Sequence, residues 1–158
     1  MKIAYFVPSL RRKGPTYQLL YLLSSLNKSN SIILFVLCND PNDTLESLFA
    51  KIDNLTIIDL KSSVAKEFLN LNKKFNSFVV EFNIDLIHTQ GLQTDFLTSF
   101  FKVKEKKYLC TLRNDPLVDY KNKFGSLFGY IIACLHIFSV SRLSNIVCCS
   151  NYLKQQWS

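Results

Sequence analysis

Six short apolar runs, at residues 2–7, 32–37, 55–60, 86–88, 107–111 and 145–148, alternate with stretches of helical spacing. That alternation limits what the chain can fold into more than any other feature. Short, uniformly apolar strands suit a sheet buried on both faces, and parallel strands need a crossover helix between them. The stretches 15–27, 43–51, 64–82, 93–101 and a long one after Pro116 supply those crossovers. Pro15 stands near the start of the first helix, where a missing N–H costs nothing. Leu19, Leu20, Leu22, Leu23 and Leu26 give that helix a broad apolar face. In the second helix, Asp43 or Thr44 suits the N-cap, with Glu46 in the first turn. The expected fold class is α/β: a Rossmann-like three-layer domain with a mainly parallel sheet, binding ligands outside the carboxyl ends of its strands. Its 158 residues are a one-domain length without an internal repeat, and the final "SNYLKQQWS" enters a sixth helix that reads as interrupted.

Composition narrows the function. Apolar residues make up 48% of the chain and thirteen are Phe, which excludes a disordered segment. A net charge of +7 calls for an anionic partner: nucleic acid, a membrane surface or a phosphorylated substrate. No helix-turn-helix, zinc-finger or RNP pattern is present, so nucleic acid is not expected as a partner. The five cysteines are odd in number, lack C-x-x-C spacing and sit mostly in apolar runs, where a thiol acts as a small core hydrophobe. No metal site, cofactor or disulfide framework is expected, and a reducing cytoplasm is the natural compartment. The amino terminus has one lysine and a short strand-like run rather than a signal peptide. Residues 124–141, "FGSLFGYIIACLHIFSVS", carry no charged side chain apart from His136 and are just long enough to raise the question of a membrane span. Their glycines, serines and histidine favour a helix buried in the core or lying on a bilayer.

Four loops fall at carboxyl ends of predicted strands. The first, at 11–14, holds Arg11, Arg12, Lys13 and Gly14. It reads either as an anion site, its cations joined by the next helix's N-terminus, or as a solvated charge run. The second, within "DLIHTQGLQTDF", sets His88 at a strand end before Gln90 and Gly91. Such a histidine can carry a proton or orient a hydroxyl, or can be half-buried and bonded to a backbone carbonyl. The third, within "CTLRNDPLVDY", gathers Arg113, Asn114 and Asp115 ahead of Pro116. Arg113 suits a bidentate phosphate or carboxylate clamp, or else a surface pair with Asp115 or Asp119. In the fourth, "CCSNYL", Ser150 or Asn151 caps the last helix. No nucleophile elbow, P-loop or paired metal ligand appears.

Taken in order, these segments resemble the amino-terminal half of GT-B fold glycosyltransferases of the "glycosyl transferases group 1" family, glycosyltransferase family 4. Residues 1–26 are similar to the family's opening M-K-I-x-x-(apolar)-x-P-S-L pattern and leucine-rich helix, with Lys13-Gly14 where a glycine pair is usual. "IDLIHTQGLQTDFL" resembles its D-(apolar)-(apolar)-H-T-H-G-x-x-(A/T)-D segment, with Gln90 in place of the second histidine. "CTLRNDPLVDYKNKFGSLFGY" looks like bacterial members acting in surface-polysaccharide assembly, and "NIVCCSNYLKQQ" resembles I-V-x-x-S-x-x-(L/I)-K.

The resemblance implies an acceptor-binding lobe, residues 1–158, whose carboxyl-terminal donor-binding partner domain is absent from the chain. Arg12, Lys13, Gly14 and Thr16 would approach the donor diphosphate or acceptor. Gln90, Gly91, Arg113, Asn114 and Asp115 would line the acceptor side, with His88 as the catalytic candidate. Implied partners are a nucleotide-sugar held by the other domain, a saccharide or lipid-linked acceptor, the inner membrane surface, and a donor-binding subunit. The isolated chain would then transfer no sugar efficiently. The alternative is a non-catalytic tethering or partner-binding subunit of a split transferase.

Overall fold

A computed structural model describes residues 1–26, 30–62, 64–100 and 102–157. The elements run β1 (Lys2–Val7), α1 (Gly14–Ser25), β2 (Ser31–Val36), α2 (Glu46–Phe49), β3 (Leu55–Asp59), α3 (Val64–Glu81) and β4 (Leu86–Thr89). They continue with α4 (Leu92–Phe100), β5 (Lys107–Leu112), α5 (Pro116–Phe124), α6 (Ser126–Ser141), β6 (Asn145–Cys148) and α7 (Asn151–Trp157). The expected helix ends at Asn27, Phe101 and Ser158 lie outside the described residues.

The strands form one six-stranded sheet in the order β3-β2-β1-β4-β5-β6, with every neighbouring pair parallel. Alternation along β1 divides the core between the two faces of the sheet. Ile3, Tyr5 and Val7 join Leu19 and Leu23 of α1 and Phe49 of α2. Ala4 and Phe6 join Leu71, Phe75 and Val79 of α3, Leu97 of α4 and Val140 of α6. Phe75 anchors the second layer, stacked on Phe6 at 4.4 Å and edge-on to Phe35 at 5.2 Å. Aromatic pairs in these geometries add to the burial of their area. The Rossmann-like three-layer domain expected from the sequence is the one observed.

Three local expectations need correction. The helix expected over 43–51 is the four-residue α2, because Asp43 Oδ1 accepts from the Arg12 backbone N–H at 3.2 Å instead of capping a helix. Thr44 Oγ1 accepts from Glu46 N–H at 3.0 Å. The long helix after Pro116 is broken at Gly125, whose φ of 79° lies in the left-handed region that glycine tolerates. Finally, only Cys110 of the five cysteines is buried. Cys38, Cys134 and Cys149 are exposed, since they follow strand ends or sit on the outer side of α6. Among the described residues, no helix is long and apolar enough to cross a membrane.

Candidate functional site

Strand order reverses direction at β1: β2 and β3 lie to one side, and β4 to β6 to the other. Loops leaving β1 and β4 therefore part at the carboxyl edge, the place where an open parallel sheet accepts ligands. Arg113, just past β5, reaches across this opening. Its Nη2 donates to Gln90 Oε1 at 2.6 Å and to the Pro15 carbonyl at 3.5 Å, while Nε donates to Gln18 Oε1 at 3.2 Å. One guanidinium thus ties the loop after β5 to the loop after β4 and to the first turn of α1. Burial pulls its pKa below the ordinary value, opposed by Cys149 and Asp95, and an arginine so placed keeps its charge.

The surface pairs considered for Arg113 do not form. Asp115 Oδ1 instead accepts from Leu117 N–H at 2.9 Å, capping α5 ahead of Pro116 in its first turn. Asp119 accepts from Asn114 Nδ2 at 3.3 Å and pairs with Lys123 at 2.7 Å. Arg113 has only neutral hydrogen-bond partners among the described residues, which leaves its charge available to an anionic or hydroxyl-bearing ligand.

The basic loop forms one rim of the edge. Lys13 occupies the N-cap position of α1 without a side-chain cap bond. Nothing lies within 4 Å of where a Cβ on Gly14 would stand, so the backbone there is open to approach. Arg11 makes an exposed 3.4 Å pair with Asp40. The Arg12 and Lys13 side chains have no hydrogen-bond or ion-pair partner among the described residues. A groove of about 510 Å³ runs beside this loop, touching Arg11, Lys13, Pro8, Ser9, Asn39 and Ser62. Thr16, nearly buried, joins Pro8, Gln90 and Arg113 around a smaller cavity of about 50 Å³.

Between these rims the chain turns at Gln90-Gly91. Gln90 is buried, its backbone N–H bonded to the Phe6 carbonyl at 3.0 Å. Gly91 has φ of 114°, a conformation that favours glycine, while a Cβ there would stand 3.4 Å from Pro8 Cγ, an ordinary contact. His88 lies below the turn, 7% exposed, with Nε2 sharing a 2.7 Å hydrogen bond with Thr111 Oγ1 and its ring 4.9 Å from Tyr5. Its partner is thus a side-chain hydroxyl rather than a backbone carbonyl. Burial, and secondarily Arg113, lower its pKa to about 4. The imidazole is therefore neutral at pH 7 and a weak proton acceptor.

A cavity of about 130 Å³ opens among Gly91, Thr111, Arg113, Asn114, Tyr120 and His136. Under it lies a relay that the sequence reading missed. The Tyr120 hydroxyl is 3.0 Å from His136 Nδ1, and His136 Nε2 is 2.9 Å from Asp95 Oδ2. Burial, then Asp119 and Asp95, raise the Tyr120 pKa. With a neutral imidazole, Tyr120 donates to Nδ1 and Nε2–H donates to Asp95. Asp95 is 1% exposed, and its Oδ1 has no partner among the described residues. The available signal was the single charged residue of α4 and the single histidine of the apolar α6, which a buried pair would explain. Of the expected site residues, Thr16, Gln90, Gly91, Arg113 and Asn114 converge at the edge. Arg12, Lys13 and Gly14 form its rim, His88 supports it from below, and Asp115 serves its own helix. At the last loop, Ser150 Oγ accepts from Leu153 N–H at 3.2 Å and caps α7. A separate cavity of about 270 Å³, bounded by Leu23, Asn30, Ile32 and Lys51, lies at the other end of β2, away from this chemistry.

No family model matches the chain. An O-antigen biosynthesis glycosyltransferase WclY of Escherichia coli is 26% identical over 140 residues, covering 85% of this chain and 35% of that protein. A second protein of the same name and organism is 26% identical over 128 residues, covering 79% of this chain and 32% of its own length. The chain resembles glycosyltransferases. It spans about a third of the length of these curated relatives. Among solved structures, the sucrose-phosphate synthase (tll1590) from Thermosynechococcus elongatus superposes over the whole chain with a TM-score of 0.67. That match is 15% identical in sequence and covers 45% of the synthase chain. At that identity the match speaks for the fold alone, a Rossmann-like α/β domain.

Proposed function

We propose that this chain is the amino-terminal, acceptor-side lobe of a family 4 glycosyltransferase in bacterial surface-polysaccharide synthesis. It moves a sugar from a nucleotide-sugar to a saccharide or lipid-linked acceptor at the cytoplasmic face of the membrane. The Arg113 fork carries the reading: a charged, half-buried guanidinium at the sheet's switch point, held by Gln90, Gln18 and the Pro15 carbonyl and, among the described residues, neutralised by no contacting carboxylate. The WclY likeness supports transfer over a purely tethering role.

In this mechanism Arg113, Asn114 and Gln90 orient the acceptor, and Gly91 keeps the turn close to it. A second lobe presents the nucleotide-sugar across the cleft. The rim of Arg12, Lys13 and Gly14, with Thr16 behind it, faces the diphosphate, where the two cations and the Gly14 backbone N–H stabilise the leaving charge. The lobe's contribution is positioning, which converts an encounter between two substrates into reaction within one complex. Its neutral His88 fixes Thr111 in the cavity wall rather than exchanging a proton at pH 7.

Amide and guanidinium NMR shifts of the chain, recorded against a panel of methyl glycosides and short saccharides, test this. The expected response centres on Gln90, Arg113 and Asn114, and Arg113→Ala weakens it by about 1.5–3 kcal/mol, the value of a hydrogen bond to a charged group. A response confined to the cavity at Leu23 and Asn30, or efficient sugar transfer by the 158-residue chain alone, contradicts the acceptor-lobe reading.

A further inference from the structure

Helix α6 faces the core with its less apolar side. Its buried stripe is Gly129, Ala133, His136, Ser139 and Val140. Its outer side carries Leu127, Phe128, Tyr130, Ile131, Leu135 and Phe138, which are 71%, 68%, 61%, 48%, 46% and 47% exposed. A surface helix of a water-soluble domain turns its large apolar side chains the other way. Leu117, Val118 and Phe124 of the preceding α5 are exposed as well, so the apolar surface continues across both helices.

The orientation is fixed from within. A Cβ on Gly129 would stand 2.4 Å from the Tyr120 carbonyl oxygen, so at this position only a glycine lets α6 lie this close to α5. One turn pair further on, the His136 ring is bonded on one side to Asp95 of α4 and on the other to Tyr120 of α5. Rolling α6 to bury its large side chains would break both contacts and expose the Asp95 carboxylate.

Charge describes what covers the surface. The helix has no acidic residue, and cations stand at both of its ends. Lys121 and Lys123 lie in the last turn of α5. At the far end, the Arg142 guanidinium sits over the Phe138 ring at 5.5 Å and the Phe100 ring at 5.9 Å, and Lys102 Nζ donates to the Arg142 carbonyl. A second copy of the chain would bring two such basic rims together. A bilayer with anionic headgroups complements both parts, with acyl chains for the apolar strip and phosphates for the cations.

We propose that α6, with Leu117, Val118 and Phe124 of α5, lies in the interface of an anionic bilayer, Lys121 and Arg142 resting on its headgroups. This surface names the membrane-facing side of the lobe. Val118 also borders a groove of about 460 Å³ that contains Arg113, Asn114 and Asp115. The groove gives a lipid-linked acceptor a route from the bilayer to the edge, a step that rests on the transferase reading above.

Flotation of the chain with phosphatidylcholine vesicles, plain or with about a third phosphatidylglycerol, tests the surface. The wild type floats with the anionic vesicles. Phe128→Asp and Ile131→Asp, both at exposed positions that leave the circular dichroism and thermal midpoint unchanged, each lower partition about tenfold or more, since an inserted carboxylate opposes burial. Lys121→Gln lowers it about fivefold on anionic vesicles alone, the equivalent of about 1 kcal/mol per charge. Absence of flotation, or flotation untouched by the two aspartates, overturns the proposal. So does concentration-dependent dimerisation abolished by Ile131→Asp in a chain that ignores vesicles, which assigns the surface to a second copy. The saccharide-shift experiment is run without lipid, so the two readings can fail separately.

Discussion

Stability between pH 7 and pH 4 provides a direct test of the environment assigned to His88. Burial and Arg113 lower its pKa from 6.5 to about 4 in the folded chain. Unfolded, the same imidazole titrates at its ordinary value. Between these values the unfolded state binds more protons, so folding stability falls as pH drops through this window and levels off below it. Working the linkage with those two values gives a loss of about 2 kcal/mol by pH 5 and about 3 kcal/mol by pH 4. His88→Gln keeps a partner for Thr111 but cannot take up the proton, so its stability should change less over the same range by about that amount. Urea unfolding followed by circular dichroism at several pH values measures both chains. The difference in slope carries the information, because the substitution has its own constant packing cost against Tyr5. Parallel loss of stability in the two proteins between pH 7 and pH 4 would refute a neutral, buried His88. It would also undermine the account of Thr111 as a fixed wall of the cavity.

Two further substitutions probe the scaffold. Phe75→Ala removes the ring stacked on Phe6 and edge-on to Phe35, and should cost about 3–5 kcal/mol in urea unfolding. Gly129→Ala forces α6 away from Tyr120 and should cost about 1–3 kcal/mol, with the Tyr120 hydroxyl proton losing its hydrogen-bonded NMR signature.

The strands were legible where burial on both faces leaves short apolar runs bounded by turn residues, as at 32–37, although the runs at 19–23 and 130–135 are equally apolar and lie in helices. Helix limits were less so. Gly125 sits inside an apolar stretch, and a glycine there is compatible with a continuous helix until its φ is known. Asp43 satisfies every local rule for a cap, yet the Arg12 N–H, distant in sequence, claims its carboxylate. Residues at the carboxyl edge were legible by position alone: Gln90, Gly91 and Arg113 follow apolar runs, and in a parallel sheet such residues converge. Their bonding was not. Gln18 lies on the far side of the chain from Arg113 in sequence, and no periodicity connects them. Likewise Asp95 and His136 are 41 residues apart, and nothing local in the mixed α4 or the apolar α6 links the two. The inverted face of α6 was hidden for a different reason. A sequence that is apolar nearly all round does not reveal which side the neighbours claim.

The central position of β1 also bears on how the edge comes into being. Lys2 N–H meets Asp85 Oδ2 across 83 residues, and beside it Ile3 pairs with Leu86. Strands β1 to β3 can zip together through nearer neighbours, but β4 must close that long loop before Gln90 arrives beside Pro15, and β5 must follow before Arg113 does. Closing long loops is slow compared with forming local contacts. Arg113's bond to Gln90 therefore reports a late event in folding. A substitution in β1 or β4 that delays their pairing would postpone the appearance of the site while leaving its finished geometry unchanged.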